Sequence, residues 1–96
     1  MTDAPLPPAL DPACPVLLLY SRQGCCLCEG LEERLLALPQ LPPLQRLDVD
    51  ADPQLRQRYD LRVPVLAWRG RDLPPVPPRL QAERLWRWLE QQGVGA

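Results

Sequence analysis

Five apolar residues stand in an unbroken row, Val16-Leu17-Leu18-Leu19-Tyr20, between Pro15 and Ser21-Arg22-Gln23-Gly24. A strand with one wet face alternates apolar and polar residues, whereas an unbroken row of this length reads as a strand covered on both faces. The chain must therefore supply helices for two sides of a sheet. Its 96 residues suffice for one such core and not for two. Fourteen prolines cut the rest of the chain into short elements.

Residues 1–14 read as a Pro-rich leader, 15–92 as the folded domain and 93–96 as a short tail. After the first strand, Cys26 to Leu38 reads as a helix. Leu27, Leu31, Leu35 and Leu38 form one stripe, Glu29, Glu32 and Glu33 sit toward the favoured N-terminal half, and Pro39 ends the segment. Leu44 to Val49 is a second strand. Asp52 caps a short helix that Pro53 opens and that runs from Gln54 to Asp60. Val63 to Trp68 is a third strand, and the turn Arg69-Gly70-Arg71 leads to a short fourth around Asp72-Leu73. Pro74 to Pro78 is a stiff connector, a simpler reading than a P-x-x-P ligand. Pro78 then opens a last helix, Arg79 to Gln92, stopped at Gly93. Trp68, Trp86 and Trp88 are assigned to the core and the sheet cover. The order β-α-β-α-β-β-α predicts an α/β domain: a four-stranded mixed sheet with helices on both faces, its parallel pair joined by a right-handed crossover.

The absences limit the chemistry. The chain has no histidine and no lysine. Histidine acid–base catalysis, histidine metal ligands, Schiff-base lysines and the phosphate-loop lysine are excluded. Net charge is −1 and no basic block stands out, so nucleic acid and anionic membranes are not expected partners. No apolar run is long enough to span a bilayer and the N-terminal segment lacks a basic region. The expectation is a cytoplasmic monomer, in a compartment where cysteines are more often catalytic than structural. Asp48, Asp50 and Asp52 read as solvated and capping residues, with no metal site assigned.

Three of the four cysteines fall in Gly24-Cys25-Cys26-Leu27-Cys28-Glu29, where the buried strand passes into the helix. Cys25 and Cys26 are adjacent, with Cα atoms ~3.8 Å apart, closer than a disulfide prefers. Cys26 and Cys28 point to different sides of a helix. Cys25 and Cys28 lie three apart on one face of the first turn and can open and close a disulfide with little backbone movement. Unpaired N–H groups and the macrodipole at a helix start stabilise a thiolate. Cys25, at the first turn, is therefore the nucleophile and Cys28, one turn in, the resolving thiol. Arg22 is either an added positive potential or plain surface. Cys26 is either an accessory thiol or passive, and Cys14 is incidental.

The block LYSRQGCCLC before a helix, the block DVDADPQLRQRYDLRVPVL and the order of elements resemble a glutaredoxin, and more specifically the short bacterial glutaredoxin-like proteins of the thioredoxin superfamily. The resemblance covers about residues 15–92 and implies a thioredoxin-like fold. It implies that Pro64 is cis and lies beside Cys25, and that the segment Arg62, Val63, Pro64 binds substrate, the Val63 backbone pairing with an extended peptide or with glutathione. Arg62 stands where glutaredoxins carry Thr. Cys25-Cys26-Leu27-Cys28 replaces C-P-Y-C, and Arg69-Gly70-Arg71-Asp72 does not rebuild the double-glycine loop that holds glutathione.

These readings together predict a thiol–disulfide oxidoreductase with a redox-active Cys25–Cys28 pair and no bound cofactor. Glutathione is a candidate reductant, and the partner is a disulfide-containing protein or a small thiol or disulfide. A redox-sensitive adaptor without turnover is the alternative, and a metal or iron–sulfur carrier a more distant one.

Overall fold

The computed structural model describes residues 16–95. The leader and Cys14 lie outside the described residues. The elements are β1 (Leu17–Ser21), α1 (Cys26–Leu36), β2 (Leu44–Asp48), a 3₁₀ turn (Val49–Ala51), α2 (Pro53–Tyr59), β3 (Val65–Trp68), β4 (Arg71–Asp72) and α3 (Ala82–Gln91). They build a single mixed sheet in the order β2-β1-β3-β4. β1 runs parallel to β2, with Leu17 opposite Leu44 and Ser21 opposite Asp48. It runs antiparallel to β3, with Leu17 opposite Trp68 and Tyr20 opposite Val65. β4 closes the far edge as the partner of β3.

The apolar row of β1 is divided between two cores by the two-residue repeat of a strand. Leu17 and Leu19, with Leu66 and Trp68, face Leu31 and Leu35 of α1 and Leu85 and Leu89 of α3. Leu18 and Tyr20, with Val65 and Ala67, face Val49 and Tyr59 on the other side. Tyr20 and Tyr59 stack with centroids 4.2 Å apart. The Tyr59 hydroxyl donates to the carboxylate of Asp72, 3.1 Å from each oxygen, and so ties the end of α2 to β4. Trp68 is buried in the α1–α3 core.

One helix face and several boundaries differ from expectation: α1 ends at Leu36 and not Leu38, β2 at Asp48 and not Val49, and β4 is Arg71–Asp72 and not Asp72-Leu73. Leu27 does not join the buried stripe of α1: it is 69% exposed, while Cys28 is 2% exposed. The inward row of α1 is Cys28, Leu31 and Leu35, whose spacing of three and four fits a helix face as well as the leucine stripe does, with Leu38 buried just past the helix end. β3 begins at Val65, so Val63 and Pro64 belong to the loop before it. α3 begins at Ala82 and not at Arg79. The Arg34 guanidinium donates to the carbonyls of Pro78, at 3.0 Å, and Leu80, at 2.5 Å. A helix starting at Arg79 would commit those same carbonyls to its own ladder.

Candidate active site

Arg22, Gln23 and Gly24 turn the chain from β1 into α1. The Cys25 N–H donates to the Arg22 carbonyl at 3.2 Å, and Gly24 has φ 79°, a conformation that suits glycine. The turn leaves Cys25 as the N-cap of α1, with extended backbone (φ −88°, ψ 108°). In place of the usual hydroxyl or carboxylate oxygen, its sulfur accepts the Cys28 N–H at 3.2 Å. Glu29 occupies the first turn.

The three described cysteines have three environments: Cys25 is partly exposed, Cys26 exposed and Cys28 buried, all as free thiols. The expected pair is thus brought together through the cap hydrogen bond, with Cys26 on the outside. Burial pushes the Cys28 thiol up to about 11, its bond to Cys25 adds to the rise, and the Arg22 backbone opposes it. Cys28 is held as a thiol at neutral pH.

Arg22 is not a free positive charge beside the cysteines. Its guanidinium grips Asp50 through two bonds, Nε to Oδ2 at 2.9 Å and an Nη to Oδ1 at 3.0 Å. It also bonds the Asp60 carboxylate and, at 3.2 Å, the Asp60 carbonyl. These bonds push Arg22 above its ordinary range and hold the Asp50 carboxyl below the usual carboxylate range. Arg22 therefore ties the cysteine turn to the 3₁₀ turn after β2 and to the end of α2. Asp48 and Asp52 cap the local backbone, accepting from Asp50 N–H and Gln54 N–H. Among the described residues no three His, Cys, Asp or Glu side chains are grouped to hold a metal ion.

The Val63–Pro64 peptide bond is cis. Val63, Pro64 and Arg62 line a cavity of about 220 Å³ with Leu27, which brings this loop against the cysteine helix. The Val63 N–H donates to the Tyr59 carbonyl at 3.2 Å. The Arg62 guanidinium lies 5.5 Å from the Tyr59 ring centroid and 3.8 Å from Asp72. Leu27 is a site residue that the sequence pattern assigns to the core instead. Its place between two cysteines in a first turn was the available signal, hidden by its fit to the leucine stripe.

A mixed β2-β1-β3-β4 sheet, helices on both faces and a C-x-x-C helix start beside a cis-proline loop define a protein of thioredoxin-like fold. The family model for the glutaredoxin-like domain (DUF836) matches residues 16–90, and the chain belongs to that family. It is similar to the X-ray structure of Northeast Structural Genomics target protein XcR50 from X. campestris, with 37% identity and a TM-score of 0.59, over 78% of this chain and 96% of that one. No curated protein matches the chain. No helix among the described residues is long and apolar enough to cross a membrane.

Proposed function

We propose that this protein is a thiol–disulfide oxidoreductase working through Cys25 and Cys28. The observation that carries the reading is the sulfur-capped helix start: a backbone N–H aimed at Cys25 Sγ, with the second thiol buried one turn behind it. That N–H fixes where the sulfur sits, and the thiolate form of a cysteine is the attacking nucleophile. The Cys25 thiolate attacks one sulfur of a substrate disulfide, forming a mixed disulfide and expelling the other sulfur as thiolate. That thiolate takes the Cys28 proton. The Cys28 sulfur then attacks Cys25 Sγ, forms the Cys25–Cys28 disulfide and releases the second substrate thiolate. Two electrons pass from the protein dithiol to the substrate. A cellular dithiol or glutathione returns them, and no bound cofactor is needed. A reducing compartment such as the cytoplasm suits a dithiol kept ready in this way.

The raised Cys28 thiol favours one second reading. If resolution is slow, the mixed disulfide persists and the protein serves as a redox-sensitive adaptor. A redox titration in graded thiol/disulfide buffers, with alkylation and mass mapping, tests the first reading. We expect a reversible Cys25–Cys28 disulfide with a midpoint between about −270 and −120 mV, together with catalytic turnover of a model disulfide. Stoichiometric oxidation without turnover would favour the adaptor, and unreactive cysteines would exclude both.

A further inference from the structure

The cavity beside the cysteines has a chemical character that bears on the substrate. It is lined by Leu27 from the first turn of α1, by Val63 and Pro64, and by Pro75, Val76 and Pro78 from the connector. Leu27 is 69% exposed, and Leu61, which lines the adjoining hollow, is 95% exposed. Exposed leucines are unremarkable singly, but these two flank adjoining hollows that share Arg62, Pro64 and Pro75.

What the lining withholds is as informative. Pro64, Pro75 and Pro78 have no N–H, and the Val63 N–H is spent on the Tyr59 carbonyl. Val76 is the one connector residue of the lining with an N–H at all. Two cations border the cavity, Arg34 held by hydrogen bonds and Arg62, at the rim, held only by longer contacts. Arg34 donates to the carbonyls of Gly30, Pro78 and Leu80. Arg62 lies over the Tyr59 ring and faces the Asp72 carboxylate. Away from the Arg62 rim and the first-turn N–H of Leu27, a ligand carboxylate entering here would lose water and find few donors in exchange, a costly trade. Glutathione carries two carboxylates and an ammonium.

We propose that this groove receives an uncharged apolar side chain next to the disulfide cysteine of a protein substrate, and that it selects such disulfides over glutathione disulfide. The proposal rests on the oxidoreductase reading and names its substrate class. Leu27 stands between Cys25 and Cys28, so a side chain seated against it belongs to a residue neighbouring the attacked sulfur.

The test compares three disulfides with the whole chain: the symmetric disulfide of a blocked Gly-Leu-Cys-Leu-Gly peptide, its counterpart with glycine for both leucines, and oxidised glutathione. Reduction of 2-hydroxyethyl disulfide reports separately whether the cysteines turn over at all. We expect kcat/KM for the leucine peptide to exceed that for the glycine peptide by about tenfold or more, chiefly through KM, with oxidised glutathione no better than the glycine peptide. Leu27→Ser should draw the leucine-to-glycine ratio toward unity. Equal rates for the two peptides, or a preference for oxidised glutathione, would overturn the proposal while leaving the oxidoreductase reading intact. Failure to reduce 2-hydroxyethyl disulfide would overturn that reading. The groove would then be judged by NMR, on whether the thiol form of the leucine peptide shifts the Leu27 and Val76 methyl signals (docking upheld) or leaves them unmoved (docking refuted).

Discussion

The two helices that cover the same face of the sheet begin in opposite ways. α1 starts from a local device: a turn through Gly24, an extended Cys25, a sulfur that accepts the Cys28 N–H, and Glu29 in the first turn. α3 starts with Gln81 extended at φ −154° and making no side-chain cap bond, and with Ala82 at φ 53°. Its position is fixed from outside, by the Arg34 side chain of α1 holding the carbonyls of Pro78 and Leu80. The first start carries its own instruction and, in the same atoms, the proposed chemistry. The second is a tertiary product.

The sharpest way to break this comparison is at the capping sulfur. Cys25→Ser and Cys25→Ala should both reduce disulfide turnover to background, since neither can form the mixed disulfide. They should part company in stability. Serine keeps an acceptor at the N-cap and should stay within a few tenths of a kcal/mol of the wild type, while alanine should cost about 1 kcal/mol. Urea unfolding of the reduced proteins reads the difference. Equal stabilities would mean that the sulfur does not act as a cap.

Cys28, the buried partner in the same turn, provides the next test. Its ordinary value of 9.0 is raised to about 11 in the fold, first by burial and then by its bond to Cys25. Between those pH values the unfolded chain has lost the Cys28 proton and the native protein still holds it. Stability must therefore fall as pH rises through this window, by about 2–3 kcal/mol in all. Burial also raises the Tyr59 phenol above its ordinary range, which acts in the same direction at the upper end. The useful quantity is thus the wild type minus Cys28→Ala, followed by denaturation at intervals from pH 8 to pH 11. A flat difference would place Cys28 in a wetter setting than a buried resolving thiol requires.

The contrast also explains what was legible in the sequence. The apolar row, as the strand Leu17–Ser21, and the Asp52-Pro53 helix start are local signals that the structure uses, with Asp52 accepting the Gln54 N–H at 2.8 Å, and the cysteines stand at the helix start where the sequence puts them. The family-like block around Val63-Pro64 marked the cis bond that is present. Leu27 was misassigned because a residue three or four before Leu31 satisfies the helical repeat equally, and only the position of the sheet chooses Cys28 over Leu27. The ion pairs of Arg22 were not legible because its partners, Asp50 and Asp60, are distant in sequence. The start of α3 was placed at Arg79 because Pro78 resembles a first-turn proline, and nothing near it in sequence reveals that Arg34 claims its carbonyl.

Arg34→Met tests that last point, because it keeps the apolar stem and removes the donors. The carbonyls of Pro78 and Leu80 then depend on water, and we expect a loss of about 1–2 kcal/mol. Hydrogen exchange should show faster opening confined to the connector and the first turn of α3. Unchanged exchange there would show that α3 needs no outside anchor.

The smallest effect separates the two helix starts at the level of single dihedrals. Both have a residue in the left-handed region close to the first turn, Gly24 before α1 and Ala82 at the start of α3. Glycine occupies that region without a Cβ clash, whereas for alanine it costs about 1–2 kcal/mol. Ala82→Gly removes this cost but gives back about 0.4–1 kcal/mol through the greater freedom of the unfolded chain. The variant should therefore be more stable by about 0.5–1 kcal/mol, and Ala82→Val less stable than wild type, because a β-branched side chain tolerates positive φ poorly. If glycine instead destabilises the protein, Ala82 sits at ordinary helical angles and α3 extends back toward Arg79. Arg34 would then have lost its hold on the connector, and the two helices would begin by the same local rule.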